Sequence, residues 1–159
     1  MNFDFTLVDV FSDRAFGGNQ LAVFPRAEGL AEVIMQQLAR EFNFAETTFV
    51  LPPANPAHTC RMRIFTPRNE LPFAGHPTVG TAAVLADLGE KHPAAGRFVF
   101  EEGIGPVTVT ADGPAMRLHL EFPRCETTTE SPSVAAVAKA LSLSEDDVAC
   151  QMVCVQDPL

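Results

Sequence analysis

Residues Pro77 to Leu88 carry Val79, Ala82, Ala83, Val84, Leu85 and Leu88, with no charged side chain before Asp87, and Gly89 follows. This reads as an apolar helix stopped by a glycine. A helix without a polar stripe has no face to turn towards water, so it must be central and enclosed. The rest of the chain therefore has to wrap around it.

The surrounding sequence supplies the wrapping. Phe3 to Val10 alternates apolar and polar before turning apolar, and Gln20 to Phe24 forms a second strand closed by Pro25. Gly17-Gly18-Asn19 between them is a loop signal. Leu30, Val33, Ile34, Leu38 and Phe42 fall at near-helical spacing, which predicts an amphipathic helix over Ala31 to Phe42. Thr47 to Leu51 reads as a strand. Cys60 to Thr66 alternates as a strand with one wet face, and Pro67 to Glu70 turns the chain. Gly96 to Glu101, Pro106 to Ala111 and Met116 to Phe122, separated by short Gly- and Asp-bearing turns, read as an antiparallel meander. A short helix over Ser131 to Leu141, a helical turn from Ser144 to Val148 and a strand from Gln151 to Val155 complete the pattern. The fold class expected is α+β: a curved, mostly antiparallel sheet wrapped around a central helix.

Composition narrows the function. The 159 residues are enough for one cored domain or one lobe of something larger. A net charge of -9 repels phosphate backbones, so nucleic acid is not an expected partner, and any anionic ligand must be held by a local device. No apolar run approaches the ~18 residues of a membrane span. The N-terminal Met1-Asn-Phe-Asp-Phe has neither the basic nor the apolar part of a signal peptide, which makes a cytoplasmic location the expectation. Cys60, Cys125, Cys150 and Cys154 form no Cys-x-x-Cys pair and lie at no zinc-finger spacing from a histidine. They are expected to be reduced structural thiols, and no metal is expected.

The chemistry concentrates before the apolar helix, in Ala74-Gly75-His76-Pro77-Thr78-Val79-Gly80. Proline is favoured at the first helical position, which makes His76 the expected N-cap and leaves the free N–H groups near Thr78 and Val79. A helix start concentrates roughly half a positive charge and outward-pointing donors, a natural carboxylate or phosphate site. Gly75 admits a ligand close to the backbone, and Gly80 admits close packing of another element. A plain turn into a core helix explains the same residues without a ligand. Glu46 stands among apolar residues in Asn43-Phe-Ala-Glu-Thr-Thr-Phe-Val50. A carboxyl group held among Phe side chains can move protons near neutral pH, whereas one on a loop faces water. His76 is open to three roles: polariser, general acid or cap. Asn19 either orients a substrate, braces the Glu46 loop or simply makes a turn. His58, His92 and His119 read as structural or surface residues.

Taken together, Val8 to Ser12, Phe16 to Val23, Met35 to Arg40, Asn43 to Phe49, Arg63 to Pro67 and Glu70 to Ala82 closely resemble the PhzF-like family of phenazine-biosynthesis isomerases, within the diaminopimelate-epimerase-like superfamily. The likeness is dense over roughly the first ninety residues and one of pattern beyond Gly96. It implies one lobe of a two-lobed fold, with residues 1–159 forming the N-terminal lobe. The site would lie in the cleft where two central helices point their N-termini at the substrate. It implies that Glu46 shuttles a proton on a small acidic substrate, anthranilate-like or amino-acid-like, and that Gly75 and His76 line the site. Pro77, Thr78, Val79 and Asn19 complete the expected substrate-binding set. The resemblance implies no metal and no organic cofactor. No Cys stands in the Gly75-His76 motif, which sets the chain apart from the superfamily's cysteine-pair racemases. The family continues into a second lobe, so the partner expected is a second lobe from another chain or a homo-oligomer such as a dimer. The competing expectation is a non-catalytic small-anion-binding or assembly module.

Overall fold

The computed structural model describes residues 2–89, 96–112, 115–119 and 132–148. The chain divides into two compact units, Met1–Leu120 and Glu121–Leu159.

In the first unit the elements run β1 (Thr6–Val10), β2 (Asn19–Phe24), α1 (Glu32–Phe42), β3 (Glu46–Leu51), β4 (Cys60–Phe65), β5 (Glu70–Leu71), α2 (Gly75–Asp87), β6 (Arg97–Glu102), β7 (Gly105–Asp112) and β8 (Ala115–His119). Among the described residues they make one sheet in the order β1-β2-β3-β4-β6-β7-β8, with β5 paired to β4. The ladders are antiparallel except β2–β3 and β4–β6, which are parallel. Both parallel pairs flank a helix in the chain, as parallel neighbours require a crossover, α1 in one case and α2 in the other. The expected α+β fold, a curved, mostly antiparallel sheet wrapped around a central helix, is what forms; β6 to β8 are the antiparallel meander, and the end of its expected last strand, Leu120 to Phe122, lies outside the described residues.

The sheet curls around α2, whose Pro77 to Ala82, Val84 and Leu85 are buried. The alternation of the strands sorts two cores. Leu21, Val23, Val50, Met62, Ile64, Phe98 and Phe100 pack with Val79, Ala82 and Leu85 of α2. Phe24, Phe49 and Phe65 face the other way, against Met35 and Ala39 of α1. Burial on both faces explains why Leu21 to Phe24 of β2 and Phe49 to Leu51 of β3 are unbroken apolar runs. Phe24 stacks on Phe49 at 4.9 Å between ring centres, and Phe49 meets Phe65 edge-on at 5.5 Å. With no Trp or Tyr in the chain, phenylalanine does all the aromatic packing. Cys60 is a buried thiol on β4, as expected. Cys125, Cys150, Cys154, His92 and the expected strand over Gln151 to Val155 lie outside the described residues.

Two contacts fix α2 against the sheet. A Cβ at Gly80 would stand 2.6 Å from Val10 Cγ2 and 2.7 Å from Leu21 Cδ2, so the absent side chain sets how closely the helix approaches β1 and β2. Thr48 Oγ1 on β3 and Thr81 Oγ1 on α2 share a buried hydrogen bond of 2.9 Å. Gly80→Ala is expected to destabilise the fold by about 1–3 kcal/mol, because the overpacked methyl meets two branched side chains. Urea unfolding measures this, and an unchanged midpoint and slope would show that the packing yields freely.

The second unit holds α3 (Val134–Leu141), shorter than the helix expected from Ser131. Ser133 is its N-cap and accepts from Ala136 N. A helical turn over Glu145–Asp147 follows, closed by a capping box between Ser144 and Asp147. Among the described residues no helix is long and apolar enough to cross a membrane.

Candidate active site

Because β2 and β3 are parallel, their first residues lie at one end of the sheet, with Leu21 opposite Glu46 in register. Asn19 opens β2 and Glu46 opens β3. The start of α2 reaches the same end, which brings together three side chains that the sequence keeps far apart.

His76 is the hub. Its Nδ1 lies 3.3 Å from Asn19 Nδ2. This contact is a hydrogen bond from the Asn19 amide in the tautomer that carries the ring hydrogen on Nε2, towards Glu46. His76 Nε2 and Glu46 Oε2 are 3.3 Å apart, and the side chains are only 11% and 16% exposed. Yet the two atoms lack the alignment of a hydrogen bond, and both are buried without a partner. Buried polar atoms are rarely left so, and an exception calls for an explanation. Here the explanation is a facing acid and imidazole, each with an unused lone pair or hydrogen. Burial lowers the His76 pKa from 6.5, outweighing the opposing pull of the Glu46 charge and of a Gln20 backbone hydrogen bond. The ring is therefore neutral at neutral pH and able to donate or accept.

The helix start corrects one expectation. The N-cap is Ala74, in extended conformation at φ -156 and ψ 133, and not His76. Helix α2 begins two residues earlier, at Gly75, so Pro77 occupies the third helical position. Its ring is still harmless there, because a first-turn residue has no helical carbonyl four positions back to strike. The first intrahelical donor is Thr78 N, bonded to Ala74 O at 3.3 Å. The donors left ahead of it are those of Gly75 and His76, rather than Thr78 and Val79 as expected. No acidic side chain of α2 offsets the positive end in its first turn. Pro77, Thr78 and Val79 are buried, and the Thr78 hydroxyl turns towards β6.

There it meets a residue the sequence reading overlooked. Thr78 Oγ1 lies 2.9 Å from Glu102 Oε1 and 2.8 Å from Ala74 O. Glu102 is 8% exposed, and its Oε2 is buried without a hydrogen-bond partner. Burial pushes its carboxyl pKa up to about 8, against a smaller opposing effect of the Thr78 hydrogen bond. The signal was present: Glu102 is in phase with Phe98 and Phe100 on β6, and that phase points inward. His58 proves structural, bonded to Glu101 Oε1 at 3.0 Å.

Hollows elsewhere do not coincide with this chemistry. One of about 580 Å³ beside α1 is lined by Glu32, Gln36, Arg40 and Glu70. Another of about 360 Å³ between β1 and α2 is lined by Asp9, Ser12, Gly80 and Ala83. Neither is lined by Glu46 or His76, and facing unpartnered groups weigh more than volume as a mark of chemistry.

Comparison with known proteins places the chain as a whole. A family model described as phenazine biosynthesis-like protein matches residues 8–156. An uncharacterized isomerase of Mesorhizobium japonicum is 56% identical over 104 residues, 65% of this chain and 34% of that protein. The trans-2,3-dihydro-3-hydroxyanthranilate isomerase of Pseudomonas fluorescens is 37% identical over 145 residues, 89% of this chain and 50% of that protein. A Bacillus anthracis structure of the PhzF family superposes with a TM-score of 0.76 at 26% identity, covering 92% of this chain and 49% of that one. The chain thus spans a third to a half of the length of these relatives.

Proposed function

Since this chain belongs to the phenazine biosynthesis-like protein family, we propose that it is the proton-transferring lobe of an isomerase acting on a small acidic substrate. The substrate class is that of the dihydro-hydroxyanthranilate named for the Pseudomonas fluorescens relative. The observation that carries this reading is the buried, unpartnered pair of Glu46 Oε2 and His76 Nε2 at the start of α2.

Glu46 as carboxylate takes a proton from a carbon next to the conjugated system, and the electron pair of that C–H bond moves into the system. Glu46, now protonated, exchanges with solvent and returns one proton to another carbon, so nothing is oxidised and no co-reactant is consumed. The Gly75 and His76 N–H groups hold the substrate carboxylate and the charge that develops on it. Neutral His76, oriented by Asn19, donates from Nε2 to the substrate or to Glu46. The step uses no metal or organic cofactor. The other half of the cleft comes from a second lobe, on another chain or on a second copy of this one.

The test is deuterium uptake from D2O into trans-2,3-dihydro-3-hydroxyanthranilate, followed by NMR. Incorporation at carbon, above a control without protein, is expected. Absence of uptake, with binding of the compound retained, would replace this reading with that of a small-anion-binding module.

A further inference from the structure

We propose that Glu102 is a positioning residue for the α2 start, present as a neutral carboxylic acid that donates to Thr78 Oγ1 so that the positive end of the helix stays directed at the substrate anion.

The case is a count of hydrogens. Thr78 Oγ1 has one hydrogen and lies within hydrogen-bond distance of two acceptors, Ala74 O at 2.8 Å and Glu102 Oε1 at 2.9 Å. If Glu102 is ionised, one of these short oxygen pairs has no hydrogen between them. If Glu102 is protonated, it donates to Thr78, Thr78 donates to Ala74, and both contacts are hydrogen bonds. The leftover Oε2 is then the carbonyl oxygen of a neutral acid, far less costly to bury unpartnered than half of a carboxylate. The raised pKa agrees with this assignment.

Among the described residues, burial and the Thr78 hydrogen bond are what act on the Glu102 carboxyl, and the charged groups on β5, β6, β7 and α2 are engaged or placed elsewhere. On β6, Glu101 is engaged with His58 and the backbone of Ala54 and Asn55, and Arg97 with Thr108. On β5, Glu70 is paired with Arg63. On α2, His76 faces Glu46, and Asp87 is at the far end of the helix. On β7 the charged residue is Asp112, at the far end of the strand from Gly105, which pairs with Glu102.

The consequence concerns the site. Helix α2 has no acidic residue in its first turn, and a neutral Glu102 keeps it so from the sheet side. An ionised Glu102 would neutralise the helix end from behind and compete with the substrate carboxylate for it. This last step rests on the proposed function, whereas the protonation of Glu102 does not.

The experiment follows the carboxyl 13C signals of labelled Glu and the amide signals of Gly75 and His76 in the full chain from pH 6.5 to 9.5. In the wild type, one Glu carboxyl and both amides are expected to titrate together near pH 8. The Glu102→Gln variant, which keeps a donor to Thr78, is expected to lose that transition in all three. Should it fail to fold, Glu102→Leu serves in its place. In turnover, the wild-type KM is expected to rise roughly fivefold through this transition with kcat unchanged, and the KM of Glu102→Gln to stay flat. A Glu102 carboxyl that titrates below pH 6.5, or an amide transition that survives in the variants, overturns the proposal. Absence of deuterium uptake with the shared transition intact would instead sink the isomerase reading and leave Glu102 as assigned.

Discussion

Glu46→Gln is expected to lower deuterium uptake by roughly 10²–10⁴-fold, the usual range for removing a positioned general base or acid. Gln has nearly the same shape as Glu, but it can neither accept nor carry the transferred proton. Because Glu46 Oε2 has no hydrogen-bond partner, the exchange of oxygen for amide breaks no bond of that atom, and the fold should survive. The variant also makes a second, independent change. The Glu46 charge raises the His76 pKa against the effect of burial, so removing it should lower that pKa further. An NMR titration of the His76 ring reads this directly. Uptake within threefold of wild type, together with the expected His76 shift, would show that the pair is close in space but that Glu46 is not the proton carrier.

Stability should fall as the pH rises, and Glu102 should be responsible. Its folded pKa of about 8 stands above the ordinary 4.5. A raised carboxyl pKa means the folded state holds its proton over a range in which the unfolded chain has released it. The neutral acid is therefore no burden below about pH 4.5, and the penalty grows with pH until it levels off above about 8. At 1.36 kcal/mol per pKa unit, it is on the order of 3 kcal/mol at pH 7 and on the order of 5 kcal/mol above pH 8. That is a large part of the stability of a domain this size. Glu102→Gln has no ionisation to suppress, so it should match the wild type near pH 4.5 and exceed it increasingly up to pH 9. Urea unfolding at pH 5, 7 and 9 provides the comparison. Parallel pH profiles for the two proteins would remove Glu102 as the source.

Much of this architecture was legible because α2 lacks a polar stripe and the strands around it have period two. Cys60 to Phe65 shows the limit of that legibility. Arg61 and Arg63 mark the outer face clearly, but nothing local says that β4 pairs in parallel with β6, since the partner arrives only after α2. The start of α2 lies two residues ahead of the place its proline marks, because the whole first turn tolerates proline and not only the first helical position. That shift moved the expected donors from the backbone of Gly75 and His76 into the core. Glu46 and His76 were both legible as candidates, but their meeting was not, because it depends on Leu21 lying opposite Glu46 in a parallel ladder. Glu102 is readable from its phase with Phe98 and Phe100, but the strand expected from the sequence stops one residue short of it, at Glu101.

The hydrogen bond between Thr48 and Thr81 has a further consequence. It joins the middle of α2 to the strand that begins with Glu46, about one and a half turns from His76. Hydrophobic packing holds a helix against a sheet but tolerates sliding along it, whereas a single buried hydroxyl pair does not. The bond thus acts as an alignment pin that fixes where the acid and the imidazole come to rest. Proton transfer responds steeply to displacements of about 1 Å. The tolerance of this site is therefore set in the dry interior, by two threonines that never meet a substrate.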